Sequence, residues 1–196
     1  MTKKLLILID CQKDFITGAL ANPRAAKKVP YIVEKVNAHD GEIIATHDTH
    51  FNKIQVESNW PPMGGVAYED SLEGKKLPVP HCIKLTEGYM IEDSILKACQ
   101  AKNGENGPVK FFAVDKYTFG WDGWAKYLAN FHFDEIEIVG FVSSICVLAN
   151  AVILRSLFPN MKITVDAKGI EDITDEGQAA AIACLKAQQI DVINED

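Results

Sequence analysis

The chain has 196 residues, of which 47% are apolar and 24% are charged, and its formal net charge is −7. At this length and composition we expect a single globular domain over residues 1–196. The sequence contains no cluster of basic residues, which argues against nucleic acid and anionic membranes as partners. Five scattered cysteines without a CxxC pair are typical of reduced thiols, so we expect a cytoplasmic protein.

Short apolar runs alternate with helical patterns along the whole chain. In chain order the patterns predict a strand at 5–9, a helix at 29–38, a strand at 42–46, a helix at 91–101, a strand at 109–114, a helix at 121–130, a strand at 135–139, a helix at 146–157, a strand at 162–165, a helix at 175–188 and a strand at 190–194. This alternation predicts an α/β fold with a doubly wound, six-stranded parallel sheet flanked by helices.

One long stretch, at about 50–88, has neither periodicity. It contains proline-rich and glycine-rich segments at 60–65 and 77–80. Loops of this length inside a compact domain are usually functional or mobile. We therefore expect part of the functional site to come from this stretch.

Polar residues follow several of the predicted strands. In parallel sheets ligands bind beyond the carboxyl ends of the strands, so Asp10, Lys116 and Cys146 could meet there. A carboxylate can take the proton of a thiol, and a nearby lysine keeps both anions charged. The thiolate can then attack an acyl group. Each residue also has an ordinary interpretation: a turn former, a solvated surface lysine and a buried core thiol.

Cys146 follows the strand that ends at Gly140, at the predicted start of a helix. The positive end of a helix dipole lowers the pKa of a thiol, so we expect a reactive thiolate there. Unpaired backbone amides of the same turn could hold a developing oxyanion.

Five segments, in order along the chain, resemble the isochorismatase-like cysteine hydrolases and, within that family, the nicotinamidase branch. The segments are LIDCQKDF at 8–15, DTH at 48–50, PHC at 80–82, DK at 115–116 and GFVSSICV at 140–147. The resemblance implies a catalytic triad of Asp10, Lys116 and Cys146. It also implies a cis peptide between Val142 and Ser143 that directs the amides of Ser143 and Cys146 at the substrate oxygen.

A metal site is the second candidate. Asp48 and His50 are two residues apart in an extended segment, so both can face one pocket, and His81 lies in the long stretch. One carboxylate and two imidazoles suit Zn²⁺, Fe²⁺ or Mn²⁺. The residues alone leave open that no metal binds. By resemblance, these three are the ligands of a divalent metal, zinc foremost, that takes the pyridine nitrogen of the substrate.

Aromatic residues near the predicted strand ends could stack on a flat substrate. These are Phe15, Phe119 and Trp121, and ordinary core packing is the alternative for each. The chain departs from the nicotinamidase pattern at Ser144, where an aspartate is usual, and residues 55–70 resemble an insertion.

Three functions therefore remain open. The first is a cysteine amidohydrolase that converts nicotinamide, or a similar aromatic amide, into the acid and ammonia through a thioester acyl-enzyme. The second is an amidohydrolase of the same family that acts on a ureido or carbamoyl compound. The third is a non-catalytic small-molecule binding or thiol-redox protein. By analogy with relatives we also expect a homo-oligomer.

Overall fold

The structure, a computed structural model, describes residues 3–61, 65–103, 110–129 and 131–195. The sheet in this part of the chain has six strands: β1 (Lys4–Ile9), β2 (Glu42–Asp48), β3 (Phe111–Lys116), β4 (Glu135–Phe141), β5 (Lys162–Glu171) and β6 (Asp191–Ile193). All neighbouring strands are parallel, in the order β3-β2-β1-β4-β5-β6. The predicted α/β fold with a six-stranded parallel sheet is confirmed.

Helices cover both faces of this sheet. They are α1 (Lys13–Ile16), α2 (Pro23–Ala38), α3 (Lys53–Glu57), α4 (Leu72–Lys76), α5 (Asp93–Gln100), α6 (Trp124–Leu128), α7 (Leu148–Leu157) and α8 (Asp175–Ala187). Alternate side chains of β1 enter two cores: Leu6 and Leu8 pack with α1, α2 and α5, while Leu5, Ile7 and Ile9 pack with α6, α7 and α8. None of the helices in the described ranges is long and apolar enough to cross a membrane.

The observed elements differ from the predicted ones mainly at their ends. Helix α2 begins at Pro23, six residues before its predicted start, because the Asn22 side chain accepts a hydrogen bond from the amide of Arg24 and caps the helix. Strands β2 and β3 continue two residues beyond their predicted ends and pair as far as Asp48 and Lys116. Residues 109 and 130, the predicted start of one strand and end of one helix, lie outside the described residues.

The stretch at 50–88 is less irregular than predicted. It contains α3, α4 and a 3₁₀ turn at Tyr68–Asp70. Side-chain caps explain the two short helices: Asn52 and Gln55 form a capping box on α3, and Ser71 caps α4. A further difference is a π-helical turn at Ser143–Val147, which precedes α7 and contains the cysteine that was predicted to start a helix.

Candidate active site

Three buried side chains from separate strands meet beyond the carboxyl ends of the sheet. Asp10 follows β1, Lys116 is the last residue of β3, and Cys146 lies in the π-helical turn after β4. The Lys116 Nζ lies 2.8 Å from Asp10 Oδ2 and 3.6 Å from Cys146 Sγ. The structure thus brings together the acid, the amine and the thiol that the sequence singled out.

Asp10 is held on one side by a residue that the sequence analysis did not single out. The Thr46 hydroxyl donates to Asp10 Oδ1 at 2.6 Å and accepts from the Asp10 amide at 3.1 Å. The other oxygen, Oδ2, contacts the Lys116 ammonium but accepts no hydrogen bond of favourable angle from the described residues. Oδ2 is therefore the oxygen that can exchange a proton with a neighbouring group.

The charges of this cluster favour a protonated thiol at rest. Burial raises the pKa of Cys146 well above its ordinary value, and the nearby Lys116 only partly offsets this. Cys146 is only 5% exposed, so the expected lowering of its pKa by the helix terminus was wrong. Burial also raises the pKa of Asp10, against the opposing charge of Lys116.

Lys116 remains charged in this buried position. Burial acts to lower the pKa of Lys116, but the acidic groups around it, Asp10 foremost, outweigh burial and raise that pKa. A buried ammonium between two acids is thus compensated. It can stabilise whichever neighbour becomes negative during a reaction.

The turn that carries Cys146 has a cis peptide one residue earlier than predicted. The cis bond joins Phe141 and Val142, so the prediction of a cis bond between Val142 and Ser143 was wrong. The cis bond lies where β4 ends, since Phe141 is the last residue of β4 that pairs with β5. The chain leaves the sheet directly after that residue, and Val142 already precedes the π-helical turn.

Hydrogen bonds fix the remainder of this turn. The Ser144 amide donates to the Asp172 carboxylate at 2.7 Å. The carbonyl of Val142 accepts from the amides of Ile145 and Val147, at 3.2 and 3.1 Å. The Cys146 carbonyl accepts from Asn150 at 2.8 Å. An oxyanion role for the amides of Ser143 and Cys146 stays a prediction.

A second cluster adjoins the first through Asp48. One oxygen of Asp48 lies 3.1 Å from Lys116 Nζ, and the other lies 3.1 Å from His50 Nε2 and 3.5 Å from His81 Nε2. Glu73 Oε1 lies 3.7 Å from His50 Nε2 and 3.5 Å from His81 Nε2. The four ligand atoms all lie within 4.8 Å of one another.

These four residues fit a divalent metal. Two carboxylates and two imidazoles are a donor set for Zn²⁺, Fe²⁺ or Mn²⁺. His81 Nδ1 lies 2.9 Å from the carbonyl of Val79, which leaves Nε2 directed at the cluster. Burial acts to raise the pKa of Asp48, but the charge of Lys116 and the hydrogen bonds of the two histidines lower it well below its ordinary value. Asp48 is therefore charged.

Glu73 was not predicted from the sequence. It lies in the first turn of α4, within the stretch that showed no periodicity. An isolated acid in such a stretch carries no sequence signal for metal binding, because only the tertiary structure places it beside His50 and His81.

The predicted aromatic residues have different surroundings. The Phe15 ring packs edge-on against His81 at a centroid distance of 5.6 Å. Phe119 is 48% exposed and lines a cleft of about 690 Å³ that also contacts His50 and Glu73. Trp121 instead packs edge-on against Trp124 at 4.7 Å, within the helical layer, so its contact with a substrate stays a prediction.

Comparisons with known proteins agree with this architecture. The family model of the isochorismatase domain matches residues 4–196. The nicotinamidase of Saccharomyces cerevisiae is 29% identical over 218 residues, which cover 97% of this chain and 99% of the yeast protein. The crystal structure of the yeast nicotinamidase bound to the inhibitor nicotinaldehyde is similar with a TM-score of 0.74 at 25% identity, covering 97% of this chain and 99% of that chain. A pyrazinamidase of Pyrococcus horikoshii in complex with zinc has a TM-score of 0.72 at 20% identity, covering 98% and 99% of the two chains.

Proposed function

The chain belongs to the isochorismatase domain family, and on that premise we propose that it is a cysteine amidohydrolase that converts nicotinamide into nicotinate and ammonia. The reaction proceeds through a thioester between the acyl group and Cys146. The yeast relative, a nicotinamidase that aligns over nearly the whole of both chains, supports this choice of substrate.

One observation carries the proposal: a thiol, an acid and an amine are buried together next to a cluster of metal-type ligands. Lys116 Nζ lies 2.8 Å from Asp10, 3.1 Å from Asp48 and 3.6 Å from Cys146. A redox thiol would not need the two carboxylates, which raise rather than lower the pKa of Cys146. A hydrolase of this kind needs Asp10, because a base must remove the thiol proton.

The first half of the reaction follows from where the protons lie. Asp10 Oδ2 takes the proton of the Cys146 thiol as the sulfur attacks the amide carbon. The carbonyl oxygen becomes negative, and the amides of Ser143 and Cys146 are the donors proposed for it. Asp10 then returns the proton to the amide nitrogen, the C–N bond breaks, and ammonia leaves. Lys116 stays charged and stabilises the anionic forms of both partners.

The second half returns the enzyme to its starting state. Asp10, which gave up its proton to ammonia, is again a carboxylate and can remove a proton from water. The resulting hydroxide adds to the thioester, the C–S bond breaks, and the acid is released. The proton held by Asp10 then returns to the Cys146 sulfur.

We also propose that a divalent cation binds to Asp48, His50, Glu73 and His81, and that Zn²⁺ is the first candidate for this cation. Bound there, the cation would supply a Lewis-acid position for a ring nitrogen of the substrate and would orient the amide. Phe15, which packs against His81, and Phe119, which lines the cleft beside His50 and Glu73, are the proposed contacts of a flat ring.

The proposal includes a cytoplasmic location, because a catalytic thiol must remain reduced. All five cysteines are unpaired, which is compatible with a reducing compartment. Assembly as a homo-oligomer remains a prediction.

The direct test is ammonia release from nicotinamide by the purified protein and by Cys146→Ala. The variant lacks the nucleophile, so we expect its kcat/KM to fall by roughly 10³-fold or more. Cys184→Ala is a matched control, since Cys184 is an exposed thiol on α8. It should keep the wild-type rate.

The same assay separates the alternative functions. We expect nicotinamide to exceed ureido and carbamoyl compounds in kcat/KM. If the protein hydrolysed a carbamoyl compound but not nicotinamide, the proposed mechanism would stand and the proposed substrate would be wrong. Full activity of Cys146→Ala, or absence of any amide hydrolysis by the wild-type protein, would refute the proposed function.

A further inference from the structure

The oxygen and the nitrogen of the Gln12 side-chain amide both form hydrogen bonds with main-chain atoms, and two of these bonds are to the proposed metal ligand Asp48. Gln12 is 0% exposed. Its Nε2 donates to the carbonyl of Asp48 at 2.9 Å and to the carbonyl of Tyr89 at 2.9 Å, and its Oε1 accepts from the Asp48 amide at 2.7 Å. One side chain therefore fixes both backbone polar groups of Asp48, whose carboxylate contacts His50, His81 and Lys116.

Asp14, two residues later, also forms hydrogen bonds with the main chain, and one of them is in the segment that carries His81. Its Oδ2 accepts from the amide of Cys82 at 2.7 Å, and its Oδ1 accepts from the amide of Ala19 at 2.8 Å. Cys82 has a φ of 47°, a left-handed conformation that is uncommon for residues other than glycine. The carboxylate of Asp14 thus holds the residue after His81 in a conformation that the chain would not favour by itself.

Main-chain hydrogen bonds join the same segments into one unit. The amides of Lys13 and Asp14 donate to the carbonyls of Met90 and Gly88, at 2.8 and 3.0 Å. The His50 amide donates to the carbonyl of Cys82 at 3.0 Å. The segment 12–14 therefore contacts the segments that carry Asp48 and His81, and it begins two residues after the acid Asp10.

We propose that Gln12 and Asp14 are positioning residues of the metal centre: they set the backbone from which Asp48 and His81 project. The proposal rests on the metal site of the proposed function. The physical basis of the proposal is that a metal–ligand bond weakens when the ligand atom is displaced by a fraction of an ångström. Hydrogen bonds from residues around the ligands prevent such displacement. Neither residue touches the cation or the substrate.

The test is the affinity of metal-free protein for Zn²⁺, measured by competition with a chromophoric chelator in the absence of substrate. Gln12→Met keeps the length of the side chain and loses its three hydrogen bonds. We expect it to weaken Zn²⁺ binding by about 10- to 100-fold. Asp14→Asn replaces one acceptor with a donor and should also weaken binding, so it serves if Gln12→Met fails to fold.

A matched control distinguishes positioning from general destabilisation. Asn150 is equally buried and makes four hydrogen bonds, but to Phe119, Trp121, Trp124 and Cys146 rather than to ligand-bearing segments. Asn150→Leu should lower the thermal midpoint while leaving Zn²⁺ affinity unchanged. The absorption spectrum of the Co²⁺-loaded protein should change in Gln12→Met and not in Asn150→Leu.

The outcomes separate this inference from the proposed function. Wild-type Zn²⁺ affinity and an unchanged Co²⁺ spectrum in both Gln12→Met and Asp14→Asn would overturn the positioning role and leave the metal site intact. A wild-type protein that binds neither Zn²⁺ nor Co²⁺ would overturn the metal site, and the inference with it.

Discussion

At the level of single residues, the chemistry depends on which group holds the thiol proton before the reaction and which group accepts it. Cys146 is buried next to two carboxylates, and burial raises its pKa. A thiol in that state needs a base, and Asp10 Oδ2 is the acceptor that the structure leaves available. Lys116 is then not a proton carrier but a fixed positive charge between them.

Asp10→Asn tests this assignment. The amide cannot accept the thiol proton, so we expect kcat to fall by about 10²- to 10⁴-fold in steady-state assays of ammonia release. In the wild-type protein the reactive form has a deprotonated Asp10, whose pKa burial raises. The rate should therefore fall as pH decreases, beginning above the ordinary pKa of a carboxyl group.

The pH profile of the variant supplies the control. Asp10→Asn has lost the group that titrates, so its residual rate should not show the same acidic limb. A variant with the wild-type kcat, or with an unchanged acidic limb, would remove Asp10 from the role of base.

The sequence predicted individual residues where a strand end marked them. Asp10, Lys116 and Cys146 could be placed together because parallel strands bring their carboxyl ends to one edge. Glu73 and Gln12 could not, because the first lies on a short helix in an aperiodic stretch and the second acts on main-chain atoms 36 residues away. The raised pKa of Cys146 was also missed, because burial cannot be read from its position before a helix.

At the level of elements, α2 is tied to β5 by a buried charge. The Asp166 carboxylate accepts from Lys35 at 2.6 Å and from the hydroxyl of Tyr31 at 2.7 Å, and Asn194 after β6 also donates to it at 3.1 Å. Burial acts to raise the pKa of Asp166, but these three hydrogen bonds outweigh it and lower that pKa. The charged form of Asp166 therefore stabilises the packing of α2 on the sheet.

Asp166→Asn should lower the free energy of unfolding by about 2 kcal/mol near neutral pH, because the Lys35 ammonium loses its buried partner and keeps only the partly exposed Glu137. The folded-state pKa of Asp166 lies below its unfolded value, so its contribution is present above the unfolded pKa and is lost as pH falls through the folded one. Denaturant titrations at several pH values should show the difference between variant and wild type shrinking in acid.

Glu135→Gln is the comparison for this experiment, because the ion pairs of Glu135 with Lys4 and Lys162 lie at the surface. We expect little change in stability for that variant. Equal losses of unfolding free energy for the two substitutions would contradict a stabilising role of the buried Asp166 carboxylate.

The types of the main elements followed from the sequence more directly than their ends. Apolar runs identified every strand, whereas β2, β3 and β4 each continue two residues further than predicted. Pairing with neighbours, as between Asp48 and Lys116, extends a strand through polar residues that interrupt the apolar pattern.

For the whole molecule, the proposed metal joins segments that are far apart in the chain. Asp48 is the last residue of β2 and His50 follows that strand, while Glu73 lies on α4 and His81 lies in the loop beyond α4. A ligand that binds only the native state stabilises it by mass action. Metal binding should therefore stabilise the arrangement of the 50–88 stretch against the sheet.

Metal removal tests this in a thermal-unfolding experiment. At a metal concentration of about 100 Kd the stabilisation is about 2.7 kcal/mol, so chelation should lower the thermal midpoint by roughly 5–10 °C. Glu73→Gln should show a smaller shift on chelation than the wild-type protein. An equal midpoint for the Zn²⁺-saturated protein and the chelator-treated, metal-free protein would contradict a metal centre in this molecule.

The central claim, that Asp10, Lys116 and Cys146 act as one acyl-transfer unit, is tested most directly by trapping the acyl-enzyme. Wild-type protein is mixed with nicotinamide, quenched in acid during turnover and digested, and the peptide that contains Cys146 is analysed by mass spectrometry. We predict a nicotinoyl thioester on Cys146 that disappears when substrate is exhausted and that does not form in Asp10→Asn on the same timescale. Ammonia release with no acyl group on Cys146 at any quench time, or an acyl group on another residue, would contradict the account.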